Sequence, residues 1–396
     1  MTENGTKKVR IGVIGTGNMG SAHCQSVCTT ENAELTAVCD IDKKKFANIP
    51  AEVRDKVCKY TSPELFFAQA PVDAVIISVP HYDHVPLAIQ ALRAGKHILV
   101  EKPIAPAIGM ARMLIEEGKK YPHLVQSAML QLRTMEAFCK IRELLASGEL
   151  GRLMRINWIV TTWFRSQYYY DSGDWRASWR GEGGGVLTNQ CPHQLDLLQW
   201  LFGLPSKVKA AVAIGKYHDI EVEDEVNAYM EFPNGATGIF VTSTAEAPGT
   251  NRLEIAGTKG RLIYENKEIK FTRNEVPSDK FLKNVKNIFG VPKSEDVQLP
   301  EINGITGARH FLLIQNFVNA ILNGEKLVAP LHEAVNGLEL GNAMLYSGLK
   351  DKTVTLPLDS DAYAEMLSDL VANSRYVKKK INETSGTAAD LNASFS

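Results

Sequence analysis

The sequence lacks any apolar run approaching the length of a bilayer span. Its first residues, Met1-Thr2-Glu3-Asn4-Gly5-Thr6-Lys7-Lys8, lack the apolar core of a signal peptide. The chain is therefore expected in the cytoplasm, with no membrane partner. An excess of either charge is also missing: 44 Lys and Arg stand against 45 Asp and Glu, for a net charge of -1. Without a basic footprint, nucleic acid is not an expected partner. Cysteine is scarce, with six in 396 residues: Cys24, Cys28, Cys39, Cys58, Cys139 and Cys191. None forms a CxxC pair or lies near a histidine at zinc-finger spacing, and no Asp/His/Glu cluster has ligand spacing, so no metal is expected. Cys24 and Cys28 share a helix face but read as ordinary thiols of a reducing compartment. No internal repeat is present. The length suits two or three domains, each able to bury a core.

What is present begins with a β-branched run, Val9-Arg10-Ile11-Gly12-Val13-Ile14, a buried strand flowing into Gly15-Thr16-Gly17-Asn18-Met19-Gly20. This is GxGxxG between a strand and a helical pattern. The first glycine permits the turn, the second lets the backbone approach a pyrophosphate, and the third lets helix and strand pack closely. The helix N-terminus then offers free N–H groups to phosphates. A second strand, Leu35-Thr36-Ala37-Val38-Cys39, ends in Asp40, twenty positions after Gly20. A carboxylate there accepts from the adenosine ribose hydroxyls and repels a 2′-phosphate, which favours NAD over NADP. Lys43, Lys44 and Lys45 soften that preference.

The βα alternation continues. Ser62-Pro63 reads as an N-cap followed by Pro at the first helical position. Residues 73–79 form a buried strand stopped by Pro80, residues 84–94 a helix capped by Gly95, and residues 97–100 a strand ending in Glu101-Lys102-Pro103. Strict alternation implies a parallel, doubly wound sheet, with ligands beyond the carboxyl ends of its strands. Gly15, Asp40, Pro80 and Lys102 should therefore face one crevice.

The glycine fingerprint, Pro80-His81-Tyr82-Asp83-His84, Ala94-Gly95-Lys96-His97, Glu101-Lys102-Pro103 and a later GGG…H…D segment occur in that order. Together they resemble the glucose–fructose oxidoreductase / inositol dehydrogenase / rhizopine-catabolism (Gfo/Idh/MocA) family over about residues 8–355. The resemblance implies an α/β protein: an N-terminal Rossmann domain plus a C-terminal α/β domain with a large, mostly antiparallel open sheet. It also implies NAD(P)-linked oxidation of a sugar or cyclitol hydroxyl, in homodimers or homotetramers joined through the open sheet. The expected division is 1–130 for the Rossmann domain, 131–360 for the substrate and oligomerisation domain, and 361–396 for a helix and tail. Cofactor-binding positions would be Gly15, Thr16, Gly17, Asn18, Met19, Asp40, Ser78, Pro80, Glu101 and Lys102. His84 would lie beside them in a packing or capping role.

In the second half, a helix is expected over 133–146. Two hairpins are signalled, around Pro233-Asn234-Gly235 and around Gly257-Thr258-Lys259-Gly260. Residues 273–304 read as a polar excursion. Helices are expected near 307–323, 331–348 and 361–379, a strand at 353–357, and a disordered tail from 386.

Oxidation of a secondary alcohol needs a base for the hydroxyl proton and a positive group for the developing alkoxide. Lys102 is the candidate cation and His193 the candidate base. Pro192 opens a helix, the stripe Leu195, Leu198 and Phe202 continues it, and Gly203 caps it. The first-turn dipole would keep His193 neutral, and Asp196, three residues on, could orient its ring or anchor the helix elsewhere. The glycine run 183–185 would let the chain pass beneath the nicotinamide and substrate. Relatives that this segment resembles often carry Asp where Asn189 stands. An amide binds a hydroxyl but takes no proton near neutral pH, so the burden falls on His193. Segment 163–180 is rich in Trp, Tyr and Arg. Trp163, Arg165, Tyr169, Trp175 and Arg176, with Asn189, would bind the substrate, as aromatic faces suit a pyranose and arginines suit hydroxyls or a carboxylate. The same segment suits an arm against a neighbouring subunit. The expected activity is thus an NAD-dependent sugar, glycoside or cyclitol dehydrogenase. The alternatives are a redox-cycling glycosidase or lyase of the same fold and a non-catalytic NAD-sensing regulator.

Overall fold

The computed structural model describes residues 8–300 and 310–377. The first strand, β1 (Val9–Ile14), leads into α1 (Asn18–Thr29), β2 (Ala33–Cys39), α2 (Ala51–Arg54), β3 (Cys58–Tyr60) and α3 (Pro63–Gln69). Then come β4 (Ala74–Ile77), α4 (His81–Arg93), β5 (His97–Val100), α5 (Ile108–Gly118) and β6 (Gln126–Ala128). The six strands form one parallel sheet in the order β3-β2-β1-β4-β5-β6. Every residue of β4 is buried, which explains why it reads as a continuous apolar run rather than an alternation. The strand order reverses at β1, so the crevice opens between the carboxyl ends of β1 and β4. Local signals hold here: the Ser62 hydroxyl accepts from the Leu65 N–H at 3.3 Å, and Pro63 opens α3. Helix α4 begins three residues earlier than the pattern suggests, with Pro80 as its N-cap and Pro86 inside its first two turns.

After a 3-10 turn over Gln131–Thr134 and α6 (Glu136–Ala146), strand β7 (Leu153–Val160) starts a second sheet. The helix expected over 133–146 is thus broken near Met135, which has extended backbone. The chain continues through α7 (Gln167–Asp171), α8 (Pro192–Phe202), β8 (Lys207–Ile214), β9 (Glu223–Glu231), β10 (Thr237–Ser243), β11 (Asn251–Gly257), β12 (Gly260–Glu265) and β13 (Glu268–Asn274). It closes with α9 (Ser278–Asn284), β14 (Ser294–Val297), α10 (His310–Asn323), α11 (Leu331–Leu349), β15 (Val354–Thr355) and α12 (Ser360–Ala372). The nine strands run β14-β13-β12-β11-β7-β10-β9-β8-β15, all antiparallel except β7 beside β10. Both signalled hairpins are present as β9–β10 and β11–β12. The excursion from 273 is not structureless: it makes α9 and returns as β14 along β13. Alternating positions Ile156, Trp158 and Val160 of β7 are buried, while Met154, Ile159, Tyr229 and Ile239 face outward and remain partly exposed.

Helix α11 packs against β8, α8 and α5 and so ties the two sheets together. Asn342 Oδ1 accepts from the Ile108 N–H at 2.8 Å, and Glu339 pairs with Arg112 at 2.9 Å. Ser127 at the end of β6 donates to Ala329 O at 2.8 Å. Helix α12 ends at Ala372, short of the expected 379, and is docked on α5 and α11 with Tyr363 fully buried. The expected tail, and the start of the helix expected from 307, lie outside the described residues.

Candidate active site

The glycine turn has the shape of a dinucleotide cradle. Gly15 has φ +86°, and a Cβ there would lie 2.1 Å from Ser78 O; a Cβ on Gly20 would lie 1.7 Å from Gly15 O. Nothing lies within 4 Å of a Cβ on Gly17, so the backbone is open where a pyrophosphate would approach. Gly17 caps α1 without a side-chain hydrogen bond, which leaves the N–H groups of its first turn for an anion. Asp40, 7 % exposed, accepts from Thr16 N at 2.8 Å, Thr16 Oγ1 at 3.1 Å and Asp42 N at 2.9 Å. The carboxylate at the tip of β2 is therefore built into the turn it faces.

Lys102 follows β5. Its N–H donates to Glu101 Oε2 at 2.9 Å and its Nζ to Asn189 O at 2.9 Å. Behind it, Glu101 Oε1 meets His23 Nε2 at 2.7 Å, and the His310 ring sits edge-on to His23 with centroids 5.4 Å apart. Burial pushes the Glu101 carboxyl up, but His23 and Lys102 outweigh that and leave it well below the usual carboxylate range. Burial lowers the Lys102 ammonium pKa; Arg176 and Arg165 lower it further, while Glu101 and Glu182 oppose them. His84 sits 1 % exposed with Nδ1 2.7 Å from Pro103 O and Nε2 2.8 Å from Val79 O. Its ring is committed to the backbone at the ends of β4 and β5, a bracing role.

The run Gly183–Gly185 makes its close approaches to Pro106, Thr188 and the Glu223 backbone. It is pinned by Glu223, whose carboxylate accepts from Gly185 N at 2.8 Å and Leu187 N at 3.0 Å. A π-helical turn over Val186–Gln190 carries Asn189, and α8 starts directly after it at Pro192. His193 lies in the first turn of α8, 2 % exposed. Its pKa is pushed down to about 3, by burial first and then by Lys102. Burial is thus the main reason for a neutral ring, with Lys102 second. Nε2 lies 3.2 Å from Gln131 Nε2, and Nδ1 has no protein partner. Either orientation of the Gln131 amide satisfies Nε2, so the ring can hold its proton on either nitrogen. Asp196 does not orient His193. Both its oxygens are taken by Arg133, at 2.8 and 2.7 Å.

The aromatic segment folds over this crevice. Tyr169 is its centre: its hydroxyl accepts from Arg176 Nη1 at 2.7 Å, Gln190 Nε2 at 3.2 Å and Asn189 Nδ2 at 3.4 Å. The Arg176 guanidinium lies over the Tyr169 and Trp175 rings at 4.4 and 4.6 Å, and Arg165 over Tyr169 and Trp163 at 5.1 and 5.6 Å. All six residues expected to face a substrate are thus brought together.

Sequence reasoning missed Glu182, which accepts from Asn189 Nδ2 and, at 2.8 Å, from Ala177 N. It also missed Glu223, Gln131, and His81, whose Nδ1 meets Glu182 O at 2.8 Å. A carboxylate directly before three glycines was the available signal for Glu182. Among the described residues, no group of three or more His, Cys, Asp or Glu could hold a metal ion, and no helix is long and apolar enough to cross a membrane.

A family model described as "Oxidoreductase family, NAD-binding Rossmann fold" matches residues 9–129. A second, "GFO/IDH/MocA C-terminal domain", matches 138–263. The chain is 25% identical to the myo-inositol 2-dehydrogenase of Thermotoga maritima over 268 residues, 65% of this chain and 75% of that protein. It is 24% identical to the levoglucosan dehydrogenase of Pseudarthrobacter phenanthrenivorans, covering 89% of this chain and 99% of that one. Among solved structures, the WlbA dehydrogenase of Chromobacterium violaceum, in complex with NADH and UDP-GlcNAcA, superposes with a TM-score of 0.75 at 26% identity, covering 91% of this chain and 99% of that one.

Proposed function

The chain belongs to the Gfo/Idh/MocA family of NAD-binding oxidoreductases, and from that premise we propose that it oxidises a ring secondary hydroxyl of a sugar, glycoside or cyclitol to a ketone, or runs the reverse reaction. The observation that carries this reading is a half-buried lysine ammonium, Lys102, beside a buried neutral imidazole, His193, whose protonation Lys102 opposes. The myo-inositol and levoglucosan dehydrogenases among its relatives point to the same substrate class.

In this reading the N–H groups of Gly17, Asn18 and Met19 hold the pyrophosphate and Asp40 the adenosine ribose, which favours NAD over NADP. When bound, NAD supplies the acceptor for the hydride leaving the substrate carbon. Lys102 donates to the reacting oxygen and stabilises its developing negative charge. His193 takes the hydroxyl proton, as its neutral form permits. Trp163, Tyr169 and Trp175 face the apolar side of the ring, while Arg165, Arg176 and Asn189 hold its hydroxyls. The outward residues Ile159, Tyr229 and Ile239 of the open sheet would be covered by a second copy in a homodimer or homotetramer.

The test is a screen of sugars, uronic acids, glycosides and inositols with NAD and NADP, read by NADH absorbance. Turnover of a ring alcohol is expected. Glycoside cleavage without net NADH favours the redox-cycling glycosidase. NAD binding with no turnover of any compound favours the regulator and sinks the dehydrogenase reading.

A further inference from the structure

Glu182 has no solvent exposure, and a carboxylate in that position must be held by donors. Two are aimed at it. Ala177 adopts φ +66°, a left-handed backbone that residues with side chains rarely take, and its N–H reaches Glu182 Oε2 at 2.8 Å. The other donor is Asn189 Nδ2, on Oε1. The Glu182 carbonyl in turn meets His81 at the start of α4, so this carboxylate is tied to the Rossmann side of the crevice as well.

Asn189 is held at both ends. Its Nδ2 faces Glu182 and the Tyr169 hydroxyl, and its backbone oxygen accepts from Lys102 Nζ. With both amide hydrogens directed to these acceptors, the remaining polar atom is Oδ1, which can only accept.

We propose that Glu182 is a positioning residue of the reaction: through Asn189 it supplies the negative charge that position 189 itself lacks, turns Asn189 Oδ1 toward a substrate hydroxyl, and keeps Lys102 an ammonium. The proposal rests on the reading of Lys102 as the group that meets the reacting oxygen. The charges around Lys102 explain the need. Arg165 and Arg176 face it from the aromatic segment, and His81 and His193 face it from α4 and α8, both neutral through burial. Glu101 opposes the arginines but is shared with His23. Glu182 is the carboxylate on the substrate side; Glu223, Tyr170, Lys102 and His81 are among its charged or titratable neighbours. Setting the charge one hydrogen bond behind Asn189 keeps its field while removing a proton acceptor from the substrate. Proton removal is then left to His193.

The experiment titrates the Lys102 Nζ resonance in 15N-lysine-labelled, NAD-saturated protein, assigned with Lys102→Met. In Glu182→Gln the midpoint should fall by about one pH unit. Glu182→Asp, which keeps the charge, should hold it close to the parent value. Glu182→Gln combined with Asn189→Asp, which rebuilds the charge one bond nearer, should restore it. An unmoved midpoint in Glu182→Gln overturns the proposal. A lower thermal midpoint with an unchanged Lys102 titration also overturns it, because the carboxylate would then be structural only. With a substrate from the screen, the alkaline limb of kcat/KM should move with the Lys102 midpoint. If the wild type turns over no compound while Lys102 still follows Glu182, the dehydrogenase reading fails and the charge relation stands.

Discussion

Arg133 grips Asp196 at two points, Nε to Oδ2 at 2.8 Å and Nη2 to Oδ1 at 2.7 Å, and neither side chain is more than 3% exposed. The pair joins α8, three residues after His193, to the turn that carries Gln131, which touches His193 Nε2. It therefore holds both sides of the imidazole. Removing Arg133 strands the buried Asp196 carboxylate, so Arg133→Met should cost about 3–5 kcal/mol in urea unfolding, whereas Asp196→Ala should cost less because Arg133 keeps its pair with Glu333. Arg133→Met with Asp196→Leu should recover much of that loss. Strictly additive losses would show that the contact carries no coupling.

His193→Ala should cut kcat by about 10²–10⁴ while leaving NAD affinity within a few-fold. Lys102→Met should lower kcat and kcat/KM together, because its contact strengthens as charge develops. A large loss of NAD binding in His193→Ala, measured by fluorescence titration, would move that residue into the cofactor site.

Asp40→Ala should weaken NAD about tenfold or more and narrow the preference over NADP. The glycine turn should loosen as well, because Thr16 loses two bonds to that carboxylate. An unchanged NAD-to-NADP ratio in paired titrations would argue against the ribose role.

Stability should fall in acid. Burial drives His193 down to about 3 and His310 to about 4, and lowers His81 and His84 as well. Below the unfolded value of about 6.5, the unfolded chain takes up protons that these buried rings refuse. Stability present above that pH is thus lost as the pH falls toward 4. Glu223 has the opposite sign: burial raises it to about 7. Its contribution is present below the unfolded carboxyl value and is lost as the pH rises through 7. The two trends oppose each other between about pH 4.3 and 7, where four histidines outweigh one carboxyl. Thermal midpoints should therefore rise toward neutrality, and Glu223→Gln should steepen that rise. A constant midpoint from pH 7.5 to 4.5 would contradict the histidine account.

The parallel, doubly wound character of the first sheet, the glycine turn, Asp40 at the tip of β2 and the start of α8 at Pro192 were all legible in the chain. Each depends on signals a few residues apart: β-branched runs, a glycine spacing, a proline at a helix start. The limits of such reading show at β14, a strand of Ser, Glu, Asp and Val. It has no apolar periodicity and exists because β13 offers it an unpaired edge. Asp196 shows the same limit. Its spacing from His193 allowed two partners, and Arg133, 63 positions away, took it.

The sequence by itself determined a Rossmann half, a second sheet of hairpins, and a lysine and a histidine suited to one crevice, because backbone pattern and residue chemistry are local properties. Only the tertiary structure decided how those groups are charged and held. Lys102 meets Asn189 across 87 positions of chain, and the neutrality of His193 comes from burial among elements distant in sequence. Glu182 stands seven residues before Asn189, yet the two meet only because the backbone bends between them at a π-helical turn. Burial and Coulomb interactions depend on distance in space, and that distance does not exist until the two halves of the chain have packed.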